Sequence, residues 1–216
     1  AGLFIVTPEA ITGVTTALQA GEGTKEALAQ YAVGGLVYFT KNIQSEEQII
    51  TMLNNTELYT KYPLFFGVDE EGGSVARLAE AGIGTKVDNA QTIGGSGDTN
   101  NAYLAGLSIG GDLSRIGFNL DFAPVADLAN VENSAIGTRS YGADAASAAG
   151  YVSAAVQGLS EQGITSCLKH FPGIGGSVQD THTGLASTGR SAEQFRGEEF
   201  TVFQAGINAG ADMVMI

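Results

Sequence analysis

The sequence predicts an α/β layer fold in which parallel strands alternate with helices. Six short apolar runs recur along the 216 residues. Each run is continuous rather than alternating in polarity, as expected for strands that are buried on both faces of a sheet. Segments with apolar residues at helical spacing lie between the runs. A chain that repeats strand and helix in this way is typical of parallel-sheet proteins.

The predicted strands cover residues 3–6, 36–39, 64–68, 120–125, 164–168 and 213–216. Four longer helices are predicted between the strands. The first begins with a capping box of Ser45 and Gln48, and the second covers 101–116 and ends at Gly117. The third runs from Asp144 to Gly163, and the fourth runs from a capping box of Ser191 and Gln194 to Gly210.

Two architectures fit this order, an open doubly wound sheet and a barrel. No Gly-x-Gly-x-x-Gly motif follows a strand and opens a helix, which argues against a dinucleotide-binding open sheet. Polar residues instead follow several different strands, as they do in a (β/α)8 barrel of the TIM type. Such a barrel typically takes about 250 residues. We therefore expect residues 1–216 to form a single barrel domain with about six of its eight strand-helix units, the C-terminal part being absent.

Composition excludes several classes of partner. Ten basic residues stand against twenty-three acidic ones, a net charge of −13. Nucleic acids and anionic membrane surfaces need basic footprints, so neither is an expected partner. No apolar run approaches the roughly 18 residues of a membrane span. The acidic, lysine-poor composition favours a secreted or cell-surface bacterial protein, with the cytoplasm as the alternative.

Cysteine usage limits metal and redox chemistry. Cys167 is the single cysteine of the chain and stands within an apolar strand pattern. It cannot form an internal disulfide, and we expect it to be buried by packing. Neither a metal nor a cofactor is required by the patterns in this sequence.

Acidic residues follow the third and fourth predicted strands. Asp69, Glu70 and Glu71 come directly after the third strand, and Asp69 stands where a carboxylate would face a ligand. The three acids could equally form a solvated turn or part of a cation site. Asp127 follows the fourth strand, where holding the barrel rim together is favoured over contact with a ligand.

Basic residues and both histidines follow later strands. Arg139 stands in a glycine-bounded loop that suits bidentate recognition of hydroxyl groups or a carboxylate, with a surface salt bridge as the alternative. Lys169 and His170 directly follow the fifth strand. Asp180 and His182 are two residues apart, so the carboxylate could accept a hydrogen bond from the ring and favour its charged form. Two histidines could also bind zinc, although no thiolate accompanies them.

Five motifs, in this order, resemble the β-N-acetylhexosaminidase branch of glycoside hydrolase family 3. They are Gly35-Leu36-Val37-Tyr38-Phe39-Thr40-Lys41-Asn42, Val68-Asp69-Glu70-Glu71-Gly72-Gly73, Phe122-Ala123-Pro124-Val125-Ala126-Asp127, Ile136-Gly137-Thr138-Arg139-Ser140-Tyr141-Gly142 and Lys169-His170-Phe171-Pro172-Gly173. The resemblance implies a barrel catalytic domain and cleavage of β-glycosides with retention. It implies an acid/base dyad of His182 and Asp180. It also implies sugar contacts by Asp69, Arg77, Arg139, Lys169 and His170.

Two departures from the branch matter. Ile174 stands where the branch usually has histidine. The nucleophilic aspartate of the family follows the seventh strand, whereas this chain ends at the sixth. We therefore expect the 216 residues alone to be inactive and their exposed sheet edges to favour self-association.

The expected function is removal of terminal β-linked N-acetylglucosamine from cell-wall or related glycans. The alternatives are a non-catalytic fragment for sugar binding or assembly, a glycoside phosphorylase, and a β-glucosidase of the same fold.

Overall fold

The computed structural model describes residues 2–179 and 187–216. Within them, six parallel strands form one sheet, in their order along the chain, and this sheet curls into an incomplete barrel of the TIM type. A two-stranded antiparallel hairpin, β4 and β5, follows the third strand. The strands are β1 (Ile5–Val6), β2 (Gly35–Val37), β3 (Phe65–Val68), β4 (Glu70–Gly72), β5 (Val75–Ala76), β6 (Leu120–Asp121), β7 (Thr165–Leu168) and β8 (Met213–Val214).

Helices connect the strands of the main sheet, as parallel pairing requires. In the described ranges they are α1 (Pro8–Thr12), α2 (Glu22–Gln30), α3 (Glu46–Tyr59), α4 (Arg77–Glu80), α5 (Ala90–Gly94), α6 (Asn100–Ile116), α7 (Ala145–Glu161), α8 (Ala192–Gly197) and α9 (Glu199–Asn208). Single 3₁₀ turns lie at Thr40–Asn42 and Gly137–Arg139. Of these helices, none is long and apolar enough to cross a membrane.

Helices α6 and α7 pack unusually closely because glycines face each other between them. A Cβ atom on Gly106 would lie 2.5 Å from the carbonyl oxygen of Ala155, and one on Gly158 would lie 2.3 Å from that of Tyr103. Real Cβ atoms do not approach so near, so only glycine allows this spacing. Helix α7 also contacts β7, and α6 contacts β4, so the close pair supports the region that carries the candidate site.

The predicted fold class is confirmed, but the strands are shorter than the apolar runs that predicted them. Residues 120–125 were expected as one strand, whereas β6 ends at Asp121 and only Val125 makes a further bridge, to Lys169. Pro124 interrupts the run, since proline has no N–H to donate to a neighbouring strand. At the ends of the sheet, Leu3 and Ile216 are exposed instead of paired.

Two details of the predicted helices are wrong. The expected helix from Ser191 to Gly210 is split at Glu198, whose backbone is not helical. On an unbroken helix, successive side chains point about 100° apart. The break instead lets the carboxylates of Glu198 and Glu199 both reach Arg190. The capping box at Ser45 is only half formed, because the Gln48 side chain accepts from Gln44 N–H instead of Ser45 N–H.

The remaining cap predictions agree with the structure. Asp144 caps α7, and Ser191 and Gln194 form a complete capping box. Gly117 ends α6 in a left-handed conformation. Cys167 is a buried free thiol, as predicted.

Candidate active site

The candidate site lies where the carboxyl ends of β3, β6 and β7 meet. Asp69 comes one residue after β3, and Lys169 and His170 follow β7 directly. Asp127 and Arg139 belong to the segment after β6. Because the three strands are parallel neighbours, their carboxyl ends lie at one edge of the sheet. Four of the five sugar contacts implied by the resemblance meet there.

Lys169 is the centre of this cluster. Its side chain is 2% exposed, and Nζ lies 2.6 Å from Asp69 Oδ1 and 2.5 Å from Glu71 Oε1. A buried ammonium group is tolerated only when it is paired and hydrogen-bonded. The two carboxylates satisfy that requirement with two of its three N–H donors.

Glu71 joins Lys169 to Arg139. Arg139 Nε donates to Glu71 Oε2 and Nη2 donates to Oε1, both at 2.8 Å, in the bidentate geometry that guanidinium groups favour with carboxylates. Burial opposes ionisation of Glu71, but the hydrogen bonds from Arg139 and the charge of Lys169 outweigh it, so the pKa of Glu71 lies below its ordinary value. Glu71 is therefore an ionised bridge between the two cations.

Asp127 holds the loop that follows β7. Its Oδ2 accepts from the backbone N–H of His170 at 3.0 Å and lies 2.6 Å from His170 Nδ1, while Oδ1 accepts from Ile174 N–H at 2.8 Å. This geometry places the ring proton on Nδ1 and leaves Nε2 as an acceptor, 3.5 Å from Arg139 Nη2. The expected role of Asp127 in holding the rim agrees with these contacts.

The acidic triplet after β3 is not a solvated turn. Asp69 and Glu71 both contact Lys169, whereas the buried carboxylate of Glu70 accepts the backbone N–H groups of Leu78 and Ala79 at the start of α4. Alternate residues of an extended strand face opposite sides. Asp69 and Glu71 thus hold Lys169, whereas Glu70 holds the start of α4. In the described ranges, no group of three His, Cys, Asp or Glu side chains is placed to hold a metal ion.

Arg77 is not brought into the cluster by a direct contact. It begins α4, and its guanidinium group pairs with Glu80, 3.4 Å away, on the same short helix. Thr40, in the loop after β2, donates to the same Glu80 carboxylate. Arg77 is linked to the cluster through its backbone, because its N–H donates to the carbonyl oxygen of Asp69 at 3.3 Å.

Asp180 and His182 lie outside the described residues, so the predicted dyad and the zinc alternative have no structural account. Before the residues that lie outside the description, the carbonyl oxygen of Gly175 accepts a hydrogen bond from Ser134 Oγ at 2.7 Å. After those residues, Arg190 pairs with Glu199 at 2.7 Å, and Glu199 also accepts a hydrogen bond from Asn130. Both flanks of the segment that carries the dyad are anchored to the stretch after β6.

Sequence reasoning missed the bridging role of Glu71. A sufficient signal was present, because Glu71 is two residues after Asp69 and an extended backbone places both side chains on one face. No sequence pattern identifies the partners of Glu71, because Arg139 reaches it from a loop 68 residues later.

This geometry defines a class of protein. Asp69, Arg139 and His170 are each partly exposed at the carboxyl ends of the strands, where α/β barrel enzymes bind their ligands. Fixed donors and acceptors side by side suit a small ligand rich in hydroxyl groups. The fold is that of an α/β barrel, and the cluster offers the fixed donors and acceptors that a polar small molecule would need.

Comparison with known proteins places the chain within that class. Residues 8–216 match the family described as Glycosyl hydrolase family 3 N terminal domain. The chain therefore belongs to glycosyl hydrolase family 3.

Individual relatives agree with this assignment. A beta-hexosaminidase of Stenotrophomonas maltophilia (strain R551-3) is 34% identical over 198 residues, which cover 89% of this chain and 58% of the relative. The chain thus spans little more than half of that protein.

Solved structures are similar over nearly the whole chain. A glycoside hydrolase family 3 beta-N-acetylglucosaminidase from Paenibacillus sp. str. FPU-7 is 30% identical, with a TM-score of 0.89, and the match covers 99% of this chain and 40% of that one. NagZ from Neisseria gonorrhoeae in complex with N-trifluoroacetyl-D-glucosamine is 30% identical, with a TM-score of 0.85, over 98% of this chain and 60% of that one.

Proposed function

We propose that the protein containing this chain is a retaining glycoside hydrolase that removes terminal β-linked N-acetylglucosamine from cell-wall or related glycans, and that residues 1–216 are part of its catalytic barrel. The observation that carries the proposal is the partly exposed ionic cluster of Asp69, Glu71, Lys169 and Arg139 beside His170, in a chain of this family. The beta-hexosaminidase relatives and the N-trifluoroacetyl-D-glucosamine complex support the choice of sugar.

The cluster suits a sugar because each hydroxyl group both donates and accepts a hydrogen bond. Lys169 has a third N–H, and Arg139 has donors beyond the two that Glu71 accepts. Asp69 and the Nε2 atom of His170 supply acceptors. The cations are already neutralised and held in place, so binding a sugar requires little reorganisation of these side chains.

Arg77 is a proposed sugar contact of a different kind. It pairs with Glu80, so it would exchange that partner for a ligand. We therefore expect Arg77→Ala to weaken sugar binding less than loss of Lys169 or Arg139.

Hydrolysis with retention needs a nucleophilic carboxylate and a group that first protonates the leaving oxygen and then deprotonates water. Asp69 is committed to Lys169 and Asp127 to His170, so neither is proposed as the nucleophile. The family resemblance gives that role to an aspartate after the seventh strand. It gives the acid/base role to His182 with Asp180, a task that histidine performs at neutral pH.

Binding is tested by calorimetry on the 216-residue chain with N-acetylglucosamine. Lys169→Ala and Arg139→Ala should each weaken binding by roughly tenfold or more, because a buried polar contact left unpaired costs about 1–3 kcal/mol. Lys25→Ala is the matched control, since Lys25 is exposed far from the cluster, where it pairs with Glu22 and lies over the Tyr59 ring. Equal affinity in all four proteins would remove Lys169 and Arg139 from the sugar site.

Turnover is tested on the protein from the complete reading frame. We expect it to cleave aryl N-acetylglucosaminides faster than aryl glucosides, with unchanged products when phosphate is added. His182→Ala should slow substrates with poor leaving groups more than nitrophenyl substrates, because nitrophenol departs without protonation. Glycosyl phosphate as the product would identify a phosphorylase, and sugar binding without turnover would leave only a binding function.

A further inference from the structure

A small cavity borders the candidate site, since Glu71 and Arg139 belong to both. Its volume is about 20 Å³, which is room for about one water molecule. Most of its wall is apolar and comes from α5, α6 and α7. The polar part of the wall consists of Glu70, Glu71, Asp121, Arg139 and Tyr141.

Asp121, the last residue of β6, borders this cavity and is completely buried, with 0% exposure. Its Oδ1 atom accepts the backbone N–H of Glu70 at 3.0 Å. Its Oδ2 atom has no hydrogen-bond partner in the described part of the chain. A buried carboxylate with one unpaired oxygen is strongly disfavoured in the ionised form.

The charges around Asp121 do not provide a counter-ion. Lys169, directly after the neighbouring strand β7, already pairs with Asp69 and Glu71. Arg139 is committed to Glu71 by two hydrogen bonds. An ionised Asp121 would therefore add an uncompensated negative charge to this cluster.

The ionisation behaviour of Asp121 points in the same direction. Burial raises its pKa well above the ordinary value of an aspartate. The nearby charges of Glu70 and Asp69 raise it further, while the Glu70 N–H and the charge of Lys169 act against the shift. Tyr141, which also lines the cavity, has a pKa raised by burial and stays neutral.

We propose that Asp121 is a protonated positioning residue, which accepts the Glu70 N–H through Oδ1 and donates its own proton from Oδ2 to a single water molecule in the cavity. The neutral side chain fixes the backbone between Asp69 and Glu71, and so fixes the two carboxylates that hold Lys169. The water and the proton are independent of what the site binds. The effect on sugar affinity rests on the proposed function.

Infrared spectroscopy tests the protonation state directly. At a pH of about 8, above the pKa of about 7 to which burial raises Glu70, ordinary carboxyl groups are ionised. The parent chain should still show the carbonyl stretch of a protonated carboxyl group, and Asp121→Asn should lose it. Asp112→Asn, which alters an ionised aspartate paired with Arg115, is the control and should retain the band. Absence of the band in the parent would overturn the proposal.

Two further measurements test the water and the positioning role. A high-resolution crystal structure should show one water within hydrogen-bond distance of Asp121 Oδ2, and an empty cavity or a metal ion there would contradict the proposal. In sugar binding, the conservative Asp121→Asn should stay close to the parent, whereas Asp121→Leu, which removes the acceptor for Glu70 N–H, should weaken affinity by roughly tenfold. Equal weakening by both variants would mean that the charge of Asp121 is needed. If Asp121→Leu does not fold, the infrared comparison still decides the protonation state.

Discussion

Replacing Glu71 by glutamine should weaken the link between the two cations of the site. The substitution keeps the shape of the side chain but removes its charge, and it turns one oxygen into an N–H donor. Three short contacts depend on that carboxylate, two from Arg139 at 2.8 Å and one from Lys169 at 2.5 Å. With its carbonyl at the Oε1 position, the new amide can still accept from Lys169 and from Arg139 Nη2, but its NH₂ group then faces the Nε–H donor of Arg139.

The structure sets the size of the effect. Removing one partner of a buried ion pair typically costs 3–5 kcal/mol, because the other charge is left uncompensated. Lys169 retains Asp69, and the guanidinium group of Arg139 is partly exposed to water, so both keep some compensation. We therefore expect Glu71→Gln to lower the free energy of unfolding by about 3 kcal/mol, the lower end of that range.

Urea unfolding of the parent and variant chains measures this difference. The midpoint should fall without a change in the slope, which would show that stability rather than compactness changed. Glu57→Gln is the matched control, since Glu57 is exposed on α3 and the same change there should stay within about 0.5 kcal/mol. A Glu71→Gln variant as stable as the control would refute the bridging role.

The pH dependence of this difference has a definite sign. The pKa of Glu71 is lower in the folded chain than its ordinary value of 4.5. Such a group contributes stability that is present above its unfolded pKa and is lost as the pH falls through its folded pKa. The gap between parent and Glu71→Gln should therefore be constant near neutral pH and narrow below 4.5.

The other predictions concern the loop, the helix pair and the sheet edges. Asp127→Asn should destabilise the chain by about 2 kcal/mol in urea, because its NH₂ group would face N–H donors of the loop after β7; Asp144→Asn, at a helix cap where asparagine serves equally well, should be neutral. Gly106→Ala should destabilise by about 1–3 kcal/mol, since its Cβ meets a carbonyl oxygen at 2.5 Å. Gly111→Ala, on the same helix, should stabilise by up to about 1 kcal/mol, since its Cβ would make only an ordinary contact with Gln162 at 3.8 Å. Light scattering should show self-association of the chain that Phe4→Lys reduces, because Phe4 is 70% exposed beside the edge strand β1; a stable monomer would contradict this.

The sequence was sufficient for the order of the strands because a parallel sheet imposes its own pattern. Strands buried on both faces read as continuous apolar runs, and consecutive parallel strands joined by helices tend to be neighbours. Strand length was not predictable in the same way. An apolar run does not show where the regular strand ends: Leu3 lies before β1, and Phe122 donates its N–H to Val68 beyond the last residue of β6.

The site was predictable as a set of positions but not as a set of bonds. Strand ends bring Asp69, Lys169 and His170 together, since neighbouring parallel strands share an edge. The direction of Arg77 depends instead on α4, a single turn that begins at that residue and supplies Glu80 as its partner. No periodicity in the sequence distinguishes a cation that faces a ligand from one that faces its own helix.

The arrangement of charges explains why these residues depend on one another. Lys169 is too deeply buried to be hydrated, so its charge is tolerable only with Asp69 and Glu71 in place. Glu71 in turn fixes Arg139. A neutral Asp121 beneath them would leave the two cations balanced by two carboxylates, whereas an ionised one would add a third negative charge and compete for Lys169. We therefore expect the cluster to keep this geometry without a ligand, so that a sugar at the proposed site would use the donors and acceptors that remain.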